Sequence, residues 1–171
     1  MSVFDYVLDA VLILLVVLQL RGNRFGPRTV LLPLLVAGVV GGSYLRGLPT
    51  GGDDLAFIAV LTAAGALLGL ASGVTTRVWH DGRAVMVRAG VASAAIWVIG
   101  MAGRAVFQIW VNGSGATAVA QFSYHHSITS SAAWVDALVL MALAQVVVRV
   151  AVISGRAALA ARSGRVVLAA A

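Results

Sequence analysis

Five apolar runs, at about residues 3–20, 29–45, 55–74, 89–110 and 132–153, are each long enough to cross a lipid bilayer as a helix. At a rise of about 1.5 Å per residue they reach roughly 25 to 33 Å, close to a hydrocarbon core of about 30 Å. A chain of 171 residues, 61% hydrophobic and 11% charged, has too little interior to hide such runs in a water-soluble fold. The expectation is an all-α membrane protein: a five-helix transmembrane bundle over 1–153, followed by a basic cytoplasmic tail over 154–171. The second run is the shortest and carries Pro33 near its start, where a missing backbone donor costs least. The first run does not read as a signal peptide. Asp5 and Asp9 stand where a basic n-region is needed, and Arg21-Gly22-Asn23-Arg24 follows directly in place of a small-residue cleavage site, so it is expected to be retained as a helix.

Arginine sets the expected orientation. All the basic residues are Arg and all the acidic ones Asp, and the Arg residues alternate between loops. Arg21, Arg24 and Arg28 fall in the first loop, Arg77, Arg83 and Arg88 in the third, and Arg149, Arg156, Arg162 and Arg165 at the C-terminal end. The intervening loops carry only Arg46, offset by Asp53 and Asp54, while 111–131 has no charged side chain. Short basic loops stay on the cytoplasmic side, so the N-terminus is expected outside and the C-terminus in the cytoplasm of a bacterial plasma (inner) membrane. The net charge of +6 is spread over these loops rather than over one polar face, which argues against nucleic acid as a partner.

Two connections carry local signals. Residues 75–88 alternate polar and apolar side chains around Asp81-Gly82, which predicts a short cytoplasmic β-hairpin between the third and fourth spans; simple extension of the two helices is the alternative. The loop 111–131 opens with Asn112-Gly113-Ser114-Gly115 and has room for a short interfacial helix. Beyond residue 153, Arg156, Arg162 and Arg165 among Ala, Val and Leu suit either a helix on an anionic leaflet or a partly disordered tail.

Gly65, Gly69 and Gly73, spaced by four, let another backbone approach closely and should make the third helix central. The neighbour is another helix of the same chain or, alternatively, a second copy in a homodimer. Gly38, Gly41 and Gly42 can serve the second helix similarly.

Charges within the spans are the candidate functional residues, since each costs about 2.5 to 3.5 kcal/mol at bilayer depth and needs a partner. Asp9, Arg104 and Asp136 are expected roughly 6 to 9 Å below the outer boundary, with complementary signs. Gln108 shares a helix face with Arg104. The group is either an ion-pair cluster that fixes helix packing or a polar cavity open to the outside for a small polar ligand, an ion or protons. His125 and His126 are weak metal or haem candidates: neighbouring helical residues point about 100° apart, and interfacial polar side chains beside Phe122 and Tyr124 account for them better. His80 falls on the opposite side. Trp79, Trp110 and Trp134 sit where interfacial anchors are expected.

With no cysteine there is no disulfide and no thiolate metal site. No phosphate-binding loop, metalloprotease helix or activated nucleophile is present, so nothing supports an enzyme and no cofactor is required by the sequence.

From Arg28 to Trp110 the chain resembles the CcdC-like family of small bacterial membrane proteins. The resemblance rests on Arg28-Thr29-Val30-Leu31-Leu32-Pro33, on Thr75-Thr76-Arg77, on Trp79-His80-Asp81-Gly82, and on Arg88 and Arg104. It covers about half the chain, departs in the absence of Lys and in the long loop with His125 and His126, and carries over no catalytic residue. The family is named for its proximity to cytochrome c maturation genes. The resemblance therefore implies a small multi-span architecture and a link to cytochrome c maturation or respiratory assembly. The functional expectation is a non-enzymatic accessory or small-ligand-binding subunit with a membrane-protein partner. Its alternatives are a small dimeric transporter or channel with an outward-facing polar cavity, and a haem- or metal-binding protein.

Overall fold

The computed structural model describes residues 23–24, 27–44, 47–81 and 84–169. The expected first helix at 3–20, with Asp5 and Asp9, lies outside the described residues. In chain order the elements are β1 (Asn23–Arg24), α1 (Pro27–Tyr44), α2 (Asp54–Thr75), β2 (Arg77–Asp81), β3 (Ala84–Arg88), α3 (Val91–Asn112), α4 (Ala116–His125) and α5 (Ser131–Ala169). Helices α2 and α3, and the stretch Ser131–Arg162 of α5, are long and apolar enough to cross a membrane. In α1 the apolar stretch is shorter, Val30–Gly42. Pro27 opens α1, where its missing N–H has no intrahelical partner to lose, and Pro33 lies inside the helix.

The expected helices at 29–45, 55–74 and 89–110 are found within two residues of those limits. The last helix differs. No break occurs at residues 153 and 154, and α5 continues to Ala169, because Ala, Leu and Arg sustain a helix and no proline interrupts them. The short helix expected in the loop 111–131 is α4.

Apolar side chains point outward along the helices. Val39, Val60, Leu67 and Ile99 are 71%, 65%, 66% and 68% exposed, whereas Asp54, Ser72, Ser93, Gln145 and Arg149 are buried. A helix surface arranged this way suits an apolar surrounding and leaves the polar groups to find partners inside.

Helices α2 and α5 run parallel and in close contact along the glycine stripe. A Cβ on Gly65 would overlap the Met141 carbonyl oxygen and come within 2.7 Å of its carbon. One on Gly69 would overlap the Gln145 carbonyl oxygen and reach 3.0 Å from its Cα, and one on Gly73 would lie 2.9 Å from Val152 Cβ. The stripe is therefore occupied by α5 of the same chain. Ala133 and Ala137, both fully buried, extend this seam one and two turns toward the start of α5.

At that end the two helices are clasped. Asp54 is fully buried, and its Oδ1 accepts from the Thr129 backbone N–H at 2.8 Å while its Oδ2 accepts from Thr129 Oγ1 at 2.9 Å. Gly52 adopts φ +49°, a left-handed conformation that lets the turn run against the Ser127 carbonyl. Trp134 stacks on Phe107 at 5.4 Å and touches Phe57 at 4.6 Å, and its Nε1 donates to Ser123 Oγ at 3.0 Å, which ties α4 onto the bundle. Trp134, expected as an interfacial anchor, is thus the centre of an aromatic cluster.

At the opposite end the predicted hairpin forms, with Arg77 opposite Arg88 and Asp81 opposite Ala84. It gains a third strand, since Asn23 and Arg24 pair with Val87 and Met86. The sheet packs against the distal part of α5, where Ala157 is buried.

Gly65→Ala is expected to destabilise the protein by about 1–3 kcal/mol, because backbone atoms cannot move aside. Gly38→Ala, where no atom of the described residues lies within 4 Å of the added carbon, should be neutral or gain up to about 1 kcal/mol from helix propensity. Unfolding titrations in mixed detergent micelles compare the two.

Candidate functional site

The buried polar groups lie at successive levels along α3 and α5. Phe107 lies beside Trp134, and Gly100 beside the Gln145 side chain, so α3 runs antiparallel to α5. This register sets Arg104 roughly one helical turn from Asp136 along the bundle. Both are buried, at 8% and 7% exposure. The Arg104 Nη2 donates to Met101 Sδ at 2.6 Å, and Gln108, one turn further along α3, is half-buried. Of the expected set Asp9, Arg104, Gln108 and Asp136, the structure thus brings Arg104 and Asp136 to neighbouring levels with Gln108 beside Arg104, and Asp9 lies outside the described residues.

One level nearer the hairpin are two residues that sequence reasoning did not single out. Gln145 is fully buried, and neither its Oε1 nor its Nε2 has a hydrogen-bond partner among the described residues. Its amide occupies the space that Gly100 leaves open, since a Cβ there would lie 3.0 Å from both amide heavy atoms. Arg149, one turn on, is 4% exposed, with Nε and Nη1 buried and without a hydrogen bond among the described residues. Its Cζ lies 6.0 Å from the centre of the Trp97 ring, at the edge of cation–π range. Arg149, in sequence one of the basic residues of the C-terminal end, is an interior charge in the fold.

The Trp97 side of the site rests on Met101 and Val146, with Val150 packed against them. Beyond it a knot of hydroxyls joins α2 to α3. Ser93 Oγ and Thr76 Oγ1 each donate to the Ser72 carbonyl at 2.8 Å and lie 3.0 Å from one another. These hydroxyls are satisfied, whereas the four buried polar atoms of Gln145 and Arg149 have no hydrogen-bond partner among the described residues. Leaving such atoms unpaired costs about 1–3 kcal/mol each, and more for a charge.

His125 and His126 are exposed at the end of α4, His125 against Tyr124 and His126 with its ring centre 4.2 Å from that of Phe122. Among the described residues no three His, Cys, Asp or Glu side chains come together to hold a metal ion.

Arg104→Ala is expected to destabilise the protein by about 3–5 kcal/mol by leaving a buried opposite charge unmatched. The same change in an Asp9→Asn, Asp136→Asn background should cost markedly less. Chemical unfolding of the single and triple variants decides this, and equal losses would show that the three do not act as one cluster. No family model, curated protein or solved structure matches the chain.

Proposed function

We propose that the chain is a multi-pass protein of the bacterial plasma membrane, with its N-terminus outside and its hairpin and C-terminus in the cytoplasm, and that it acts as a non-enzymatic accessory subunit binding a small organic anion inside the bundle. Three helices of sufficient length and the outward-facing apolar side chains support the membrane setting. The concentration of Arg77, Arg83 and Arg88 at the hairpin supports the orientation. The resemblance to the CcdC-like family is in keeping with an accessory role near respiratory assembly.

The observation that carries the ligand reading is the pair Gln145 and Arg149, buried on consecutive turns of α5 with four polar atoms that find no partner among the described residues. A carboxylate placed there would accept from the guanidinium and the carboxamide while its apolar part lay against Trp97. In an apolar surrounding those charge-assisted bonds are strong. Arg104 and Asp136 then act at the outer level as a charge-balancing tie between α3 and α5.

Thermal unfolding of wild type and Arg149→Met in detergent, with a panel of small carboxylates, tests this reading. Arg149→Met is expected to fold and to be as stable as wild type or more so, because an apolar side chain of similar length replaces an unmatched charge. Wild type alone should be stabilised by a ligand, by about 2.7 kcal/mol at a hundredfold excess over Kd. If no carboxylate distinguishes the two proteins, the ligand reading fails.

A further inference from the structure

A second polar feature lies at the hairpin end. Arg77, Val78, Trp79, Arg88 and Arg156 line a recess of about 540 Å³. Arg77 and Arg88 are register partners across β2 and β3. Like charges directly opposed in this way destabilise a strand pair unless an anion lies between them. The third cation comes from α5. Arg156 Nη1 donates to the carbonyls of Gly73, Val74 and Thr76 at 3.0, 2.6 and 2.6 Å, which covers the negative end of α2 so that bare carbonyls do not repel an anion. Among the described residues the lining of the recess holds no carboxylate to neutralise the three guanidinium groups.

We propose that this recess binds a phosphate-bearing anion, either the headgroup of an anionic lipid or a free phosphate ester, between Arg77, Arg88 and Arg156. Guanidinium groups match phosphate oxygens in charge and geometry, and a recess of this size also holds the ester substituent. Trp79, 41% exposed, supplies an apolar wall at the edge of the apolar envelope, where an indole is favoured beside headgroups. The site is separate from Gln145 and Arg149 and does not rest on the ligand reading made for them.

The test uses the full chain in a neutral detergent, with thermal unfolding followed as inorganic phosphate replaces chloride at constant ionic strength. It is repeated in nanodiscs of phosphatidylcholine with and without phosphatidylglycerol. Phosphate or phosphatidylglycerol is expected to raise Tm. A response to phosphate assigns the site to free phosphate esters, and a response to the lipid alone assigns it to headgroups. In Arg77→Gln/Arg88→Gln the apparent affinity should fall at least about tenfold. Without the anion that variant should be no less stable than wild type, because the opposed charges are gone. Arg88→Gln alone should show an intermediate loss, which guards against a folding defect in the double variant. The proposal is overturned if neither probe raises Tm, or if the rise is unchanged in both variants.

Discussion

The approach of α2 to α5 along Gly65, Gly69 and Gly73 determines where most other groups can lie. In apolar surroundings no hydrophobic force draws two helices together, so their association depends on close contact of backbones and on polar pairs. Parallel neighbours cannot be joined by a short turn. The chain between them must cross the bundle and return, and here it does so through the hairpin, α3 and α4. That excursion brings Gly100 and Trp97 to α5. With the Gln145 backbone held against Gly69, the Gln145 side chain is turned to α3. One stripe of small residues therefore sets both the packing and the polar site.

Each end of the α2–α5 pair is closed by a charged side chain on backbone groups of the other segment. Asp54 of α2 receives the N–H of Thr129, just ahead of α5. Arg156 of α5 donates to the carbonyls of Gly73 and Val74 at the end of α2 and of Thr76 just beyond it. Together they fix the register of the parallel helices from both ends, and each satisfies groups that a helix or turn leaves without partners.

The helices at 29–45, 55–74 and 89–110 were legible because apolar length is a coarse signal that packing does not alter. The hairpin was legible because Asp81-Gly82 interrupts an alternating pattern. The glycine spacing announced a close contact but not its partner, which depends on how the chain crosses the bundle. Gln145 was hidden because a single neutral polar residue hardly changes the hydropathy of a long apolar run. Arg149 was hidden for a different reason: it stands near the end of its run, where arginine ordinarily marks the water boundary. Its burial follows from the continuation of α5 past residue 153, and the Arg residues there resembled a tail. The pairing of Asn23 and Arg24 with β3 brings together segments more than sixty residues apart, and no local pattern encodes it.

The 39 residues of α5 make a rod about 58 Å long, roughly twice the thickness of a hydrocarbon core. Its interior half carries Asp136, Gln145 and Arg149, and its distal half supports the three-stranded sheet. No loop separates these halves, so a tilt or rotation imposed on one is passed mechanically to the other. One continuous helix thus carries both the buried guanidinium and the support of the sheet, so the direction of its inner half also sets the direction of the surface displayed beyond the last turn of α2.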